Sequence, residues 1–394
     1  MRRAPCFFAL LVLSCLLPGC SPNAAMEVPR AAPVSRDGNL GVLAGKLRSA
    51  ARAPVNIVQF GDSHTAADIF SGELRRLFQA EYGDGGIGLV AATPVPGTRY
   101  EQVVLKAAES QWQLVSARNQ HSEQFPLGGY LSLPQASKAT VRIEARQPDD
   151  KRYRVSALYQ AQQHASLNAR DGTNPDRRLM LAATGGQWRF SPVLNNARLP
   201  LELSVEAPAG EALGGWYIQG QKNAGVTLSA LGINGAQLEV MNKWQAGWQE
   251  SLKALRPDLV ILAYGTNEAF DPRLDLDQYR QQLTHTLAEL RRQMPRAVLL
   301  LVGPPDSIKQ RNAQGCAARM PGPLPAIIGI QRDVAKASGA LFWDWQAFMG
   351  GECSILQWQA SGLARGDLIH LSAEGYRRSA GGLYGFLRAQ LGVK

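Results

Sequence analysis

Three short segments hold residue types able to carry out acyl transfer. The first is Gly61-Asp62-Ser63-His64. It follows Val55–Phe60, which reads as a buried strand, and precedes Phe70, Leu74, Leu77 and Phe78 at helical spacing, which predict a helix over 66–82. A serine there sits in a tight turn at the carboxyl end of a strand. Its own N–H then faces a helix start, where developing negative charge is favoured. The second segment, Gly265-Thr266-Asn267-Glu268, follows the apolar run Leu259–Ala263. Its Asn amide offers two N–H donors, although Gly and Asn also favour plain turns. The third contains Asp367 and His370, three residues apart. On a turn, that spacing lets the carboxylate meet Nδ1, fixing the tautomer and leaving Nε2 free to take a proton. A hydroxyl, an imidazole with its orienting carboxylate and an amide donor are the groups that nucleophilic acyl transfer needs. His64 is a rival base by proximity. Adjacent side chains on a turn entering a helix point apart, which favours His370.

The elements needed to bring these segments together are also legible. Leu259–Ala263 and Ala297–Val302 read as strands buried on both faces. Tyr279–Met294 and Ile327–Ala337 read as helices, Leu341–Trp345 as a strand, and Ser372 can cap a final helix running to about Leu391. Strands alternating with helices predict a parallel sheet with helices on both faces. Between 106 and about 222 the pattern changes. Ala139–Ala145, Tyr153–Tyr159 and Leu201–Glu206 alternate apolar and polar residues, with turn residues at Gly172–Pro175 and Gly185-Gly186 between them. Antiparallel strands of a sandwich or barrel are expected there. Gly83–Gly88 matches the G-x-G-x-x-G spacing of dinucleotide sites. It lacks the strand before and the helix after that such a site needs, so a flexible loop is expected.

The organisation that follows is a signal peptide over 1–19, a flexible tether over 20–50, an α/β domain over 51–105 and 226–394, and an inserted β-domain over 106–225. Arg2 and Arg3 form a basic start before the apolar run Phe7–Leu17, which is too short to span a bilayer. Leu17-Pro18-Gly19-Cys20 resembles a bacterial lipobox, in which cleavage exposes a cysteine for lipidation. An ordinary secretion signal is the alternative. Outside this segment only Cys316 and Cys353 remain, able to form a disulfide after export or to stay separate thiols. With 45% hydrophobic residues the chain can bury a core, which excludes a disordered protein. The net charge of +10 is compatible with an acidic partner without identifying one.

The order Ser63, Asn267, Asp367, His370 resembles the SGNH (GDSL-type) hydrolase superfamily, over about 55–105 and 226–394. The resemblance implies Ser63 as nucleophile, His370 as general base and Asp367 as its orienting group. It implies an oxyanion hole made by the Ser63 N–H, a loop glycine and Asn267. Gly235 is favoured for the glycine, with Gly232 the alternative. Glu268, where the superfamily often has Asp, and Ala236-Gln237, where it usually has Asp-Thr, are departures that remove no catalytic atom. Gly61–Ala66, Gly83–Gly88, Gly265–Glu268 and the insert together look most like bacterial peptidoglycan O-acetylesterases. That branch carries a jelly-roll insert similar to a carbohydrate-binding module. The implied activity is removal of O-acetyl groups from N-acetylmuramic acid, with no cofactor, metal or nucleic acid. The alternative is an esterase or O-acetyltransferase acting on another envelope polysaccharide. The implied location is the periplasm, on an outer-membrane lipoprotein of a Gram-negative bacterium, with O-acetylated peptidoglycan and the membrane as partners. Trp112, Trp188 and Trp216 either stack on sugar or fill the insert's core.

Overall fold

The computed structural model describes residues 37–120, 124–206 and 210–393. Five parallel strands form the sheet that carries the three motifs. Their spatial order is Gly225–Gly232, Pro54–Gly61, Leu259–Ala263, Val298–Val302 and Leu341–Trp343. Leu259–Ala263 and Val298–Val302 are buried at every residue, because helices lie on both faces of the sheet. Successive side chains of each strand enter different cores. Val55 and Ile57 join Leu43, Phe70, Leu74 and Leu383 from the helices Leu40–Arg48, Phe70–Tyr82 and Ala373–Leu391. Val58 and Phe60 join Leu283, Leu287 and Ile327 from the helices Leu276–Gln293 and Leu324–Ala337.

The insert is a β-sandwich of two antiparallel sheets. One sheet runs Arg189–Phe190, Tyr153–Gln160, Ala212–Gly220, Tyr130–Pro134 and Trp112–Ser116. The other runs Val103–Ala107, Lys138–Ala145, Leu201–Glu206, Ala165–Arg170 and Arg177–Leu181. Val155, Ala157 and Ile218 of the first share a core with Val141, Ile143 and Leu203 of the second. Trp112, Trp188 and Trp216 are buried there. Their indole N–H groups donate to the carbonyls of Thr140, Gln124 and Ala92. They are core residues and present no face to a sugar.

Several expectations need correction. The helix expected over 66–82 is two helices, Ser63–Ala66 and Phe70–Tyr82, with a turn between them. Gly83–Gly88 is not a flexible loop. Gly86–Val90 is a strand that pairs antiparallel with Ala212–Gly220. It also packs along the first parallel strand, where the Leu89 N–H donates to Ser229 Oγ at 2.9 Å. Glycine makes this possible: Gly88 has φ +96°, and a Cβ there would lie 2.8 Å from the Leu228 carbonyl oxygen. The β-rich part therefore starts at 86 rather than 106. It ends at Gly220, because Gly225–Gly232 is the edge strand of the parallel sheet. The proposed tether is helical over Leu40–Arg48, where Leu43 and Leu47 enter the core. Asn39 Nδ2 donates to the carbonyls of Pro295 and Ala297, anchoring the start of that helix. The signal peptide over 1–19, Cys20 and residues 20–36 lie outside the described residues.

One buried ion pair fastens helix Phe70–Tyr82 to the sheet. Arg75 and Asp68 are each 2% exposed and join through two hydrogen bonds at 3.0 and 3.2 Å. Arg75 Nε donates to the Leu228 carbonyl, and Asp68 also accepts from Ser71 Oγ and the Glu101 N–H. Arg75→Ala would strand a buried carboxylate. A loss of about 3–5 kcal/mol is expected, read as a lower midpoint of chemical unfolding.

Candidate active site

The strand Pro54–Gly61 ends where the sheet offers its carboxyl edge, the place open α/β sheets reserve for ligands. The chain then turns into the short helix Ser63–Ala66. Asp62 caps it, its Oδ1 accepting the His64 N–H at 2.9 Å. The turn is tight because Gly61 and Gly232 have no side chain. A Cβ on Gly61 would strike the Thr65 hydroxyl and lie 2.7 Å from the Ala263 carbonyl oxygen, and one on Gly232 would strike the Ala66 N–H. Gln59 Nε2 donates to Thr65 Oγ1, tying the helix back to its strand. Ser63 is thereby held at a helix start, partly open to solvent.

The structure places Ser63 Oγ 2.9 Å from His370 Nε2, and His370 Nδ1 2.9 Å from Asp367 Oδ2. The other Asp367 oxygen accepts the Ile369 and His370 N–H groups, each at 2.9 Å. Burial works against the Asp367 charge, but these donors and the imidazole outweigh it and hold the carboxyl below its usual range. The turn is braced from outside. Ile308 N–H bonds the Leu368 carbonyl, and Arg365 N–H bonds that of His370. A disulfide, Cys316–Cys353, crosslinks the surrounding loops. His64 is engaged with Tyr376. It is buried, its Nδ1 lies 2.8 Å from Tyr376 Oη, and its ring centroid is 5.3 Å from that of His370. Burial, then the neighbouring His370, pushes its pKa down to about 3, so it stays neutral beside His370.

Two loops flank Ser63. Ile233 N–H bonds the Gly61 carbonyl, starting a loop in which Gly235 has φ +71°. Gly232 lies on the preceding strand and is packed against the Ser63 helix, so it is a close-approach glycine and Gly235 is the loop glycine. Opposite, Gly265 leads into the helix Thr266–Phe270. Asn267 Nδ2 donates one hydrogen to the Ala236 carbonyl at 2.8 Å. Glu268 fastens both loops: one carboxylate oxygen accepts the Leu238 N–H at 2.7 Å, the other the Gly265 N–H at 2.9 Å. Burial pushes its pKa up to about 7 against these donors. Burial also raises Asp62 to about 7, opposed by the His64 N–H and joined by the nearby Glu268.

The structure thus brings Ser63, His370, Asp367, Gly235 and Asn267 to one rim. Sequence reasoning gave no role to Tyr376, to the stapling contacts of Glu268, or to Arg118, whose guanidinium lies against Gly235. Glu268 had a faint signal, since it replaces the Asp common at that place. Arg118 had none, because it sits on the insert, outside every motif. Among the described residues there is no cluster of three or more side chains that could hold a metal ion.

Residues 85–202 match the family model described as "Peptidoglycan O-acetylesterase, N-terminal". Residues 207–378 match that of the GDSL-like lipase/acylhydrolase family. A solved structure described as a peptidoglycan O-acetylesterase in action is 32% identical, covers 92% of this chain and 99% of its own, and superposes with a TM-score of 0.79. An acetyl xylan esterase is 17% identical over 42% of this chain and 82% of its own, with a TM-score of 0.34. A family two carbohydrate esterase from Clostridium thermocellum is 12% identical over 74% of this chain and 99% of its own, with a TM-score of 0.31. No curated protein matches the chain. Identity of 32% across nearly the whole of both chains, with the two family models in tandem, shows that the chain belongs to the peptidoglycan O-acetylesterases and carries their GDSL-type acylhydrolase domain.

Proposed function

We propose that this protein is a serine esterase that removes acetyl from the 6-hydroxyl of N-acetylmuramic acid residues in peptidoglycan. The observation that carries the reading is the relay Ser63–His370–Asp367, with both contacts at 2.9 Å, in a chain of this family. Ser63 Oγ attacks the ester carbonyl as its proton passes to His370 Nε2. Asp367 holds the Nδ1 proton and offsets the imidazolium charge. The oxyanion meets the N–H groups of Ser63 and Gly235 and the second amide hydrogen of Asn267. Collapse expels the sugar oxygen, which takes the proton from His370. Water, activated by the same imidazole, then frees acetate from Ser63. No step calls for a metal or an organic cofactor.

Ser63→Ala is expected to reduce acetate release from O-acetylated murein by at least about 10³-fold, with binding to murein kept. Hydrolysis at the wild-type rate would remove Ser63 from the mechanism. Acetate passed to a sugar acceptor in place of water would favour a transferase.

Glu268 is a positioning residue in this scheme. It touches no substrate, yet it sets the distance between the two loops that supply Gly235 and Asn267. Glu268→Gln replaces one acceptor with a donor facing an N–H. Misplacing a catalytic group by about 1 Å can cost about 10²-fold. A fall in kcat of that order is expected with KM nearly unchanged, and partial recovery in Glu268→Asp. A variant that changes KM alone would contradict the role.

We further propose export to the periplasm of a Gram-negative bacterium and anchoring to the outer membrane through acyl chains on Cys20. The support is Arg2 and Arg3, the apolar run Phe7–Leu17 and the sequence Leu17-Pro18-Gly19-Cys20. Cys20→Ala should move the protein from the membrane to the soluble fraction and abolish labelling by a fatty-acid probe. Wild-type protein that is unlabelled and soluble would defeat the anchor.

A further inference from the structure

Several sandwich residues meet the oxyanion-hole loop: Tyr130 Oη donates to the Gly232 carbonyl at 3.3 Å, Gly129 lies against Ile233, and Arg118 lies over Gly235. Strand Trp112–Ser116 ends in a turn closed by Ser116, whose carbonyl accepts the Asn119 and Gln120 N–H groups at 3.1 and 3.2 Å. Ala117, next in line, is fully buried. Its N–H bonds the Gly129 carbonyl, and its own carbonyl accepts from Lys243 Nζ at 2.7 Å. Arg118 is therefore projected from a backbone fixed to both the insert and the segment that follows the oxyanion loop. Its guanidinium rests on Gly235: a Cβ there would lie 2.6 Å from Cζ and 2.7 Å from Nη2. Gly235 is favoured by its positive φ, and the absence of a side chain leaves room for this cation above it. Arg118 is exposed, and among the described residues its guanidinium has no hydrogen-bond or ion-pair partner.

A cation without a partner among the described residues has a restricted set of uses at this point. The oxyanion already has three donors. What remains within reach is the group to which the scissile ester is attached. A planar guanidinium fork suits a carboxylate. We propose that Arg118 is a specificity-determining residue that binds a carboxylate on the 3-O-substituent of the acetylated sugar. The inference rests on the muramic-acid reading above and deepens it. In the glycan of peptidoglycan, muramic acid differs from its neighbour glucosamine by a lactyl ether that ends in a carboxyl group, free or extended by an acidic peptide. The insert thus supplies the residue that tells the acid-bearing sugar from the neutral one, and the catalytic domain supplies the chemistry.

The test measures acetate release by the purified mature protein from three soluble sugars. These are 6-O-acetyl-N-acetylmuramic acid, its lactyl amide, and the same sugar extended by an acidic dipeptide. Wild type should prefer the charged sugars to the amide. Arg118→Ala should lower kcat/KM on a charged sugar by about tenfold, mainly through KM, and shrink the preference over the amide. Arg118→Lys should recover part of it, and added salt should weaken the wild-type preference. A loss confined to the dipeptide sugar puts the carboxylate on the peptide, and a loss on muramic acid itself puts it on the lactyl group. An equal loss on charged and amide sugars would assign Arg118 to the oxyanion or to the architecture and overturn the proposal. So would no loss on any of them. Wild type that cleaves p-nitrophenyl acetate but none of the three sugars would defeat the muramic-acid reading and this inference with it. Equal wild-type rates on acid and amide would defeat the inference alone.

Discussion

The contact between Ser63 Oγ and His370 Nε2 joins residues 307 positions apart in the chain. A hydrogen bond of this kind is worth about 1 kcal/mol net, far too little to organise the molecule. The bond exists because the frame leaves both side chains nowhere else to be. On one side, the buried strand Pro54–Gly61 delivers Ser63 through a turn that only glycine at 61 and 232 permits. On the other, Asp367 accepts two backbone N–H groups from its own turn before it meets the imidazole. The same carboxylate therefore shapes the loop and selects the tautomer.

The charges around this contact are arranged with similar economy. His64 lies beside His370 yet cannot compete with it, because burial keeps it uncharged at any ordinary pH. In the proposed mechanism, a His370 that takes the Ser63 proton meets one neutral imidazole and one carboxylate rather than a second cation. Asp62 and Glu268 are buried acids near the same rim, and their removal from water raises both. Each is spent on backbone N–H groups, so their role is to hold turns rather than to exchange protons with substrate.

Much of this was readable before any coordinates. Apolar runs such as Leu259–Ala263 and Val298–Val302 declare strands covered on both sides, and the Ser and Asn blocks follow strand ends while Asp367 and His370 share a turn before the last helix. Three features were not readable, each for its own reason. Gly86–Val90 looks like a loop because its glycines serve close backbone packing, which leaves no trace in hydrophobic period. Leu40–Arg48 hides behind an Ala- and Pro-rich stretch, although Leu40, Leu43 and Leu47 have helical spacing. Trp112, Trp188 and Trp216 could have faced sugar or core. Only the third dimension shows their N–H groups committed to backbone carbonyls.

Strand Gly86–Val90 belongs to one sheet by its pairing and presses against the other by its packing. The sandwich is for that reason not a cassette. Excising it, or exchanging it for a foreign module at a linker, would bare the flank of strand Gly225–Gly232. Recombination that shuffled such modules would have to carry the seam as well, so the two parts are expected to be inherited as a unit.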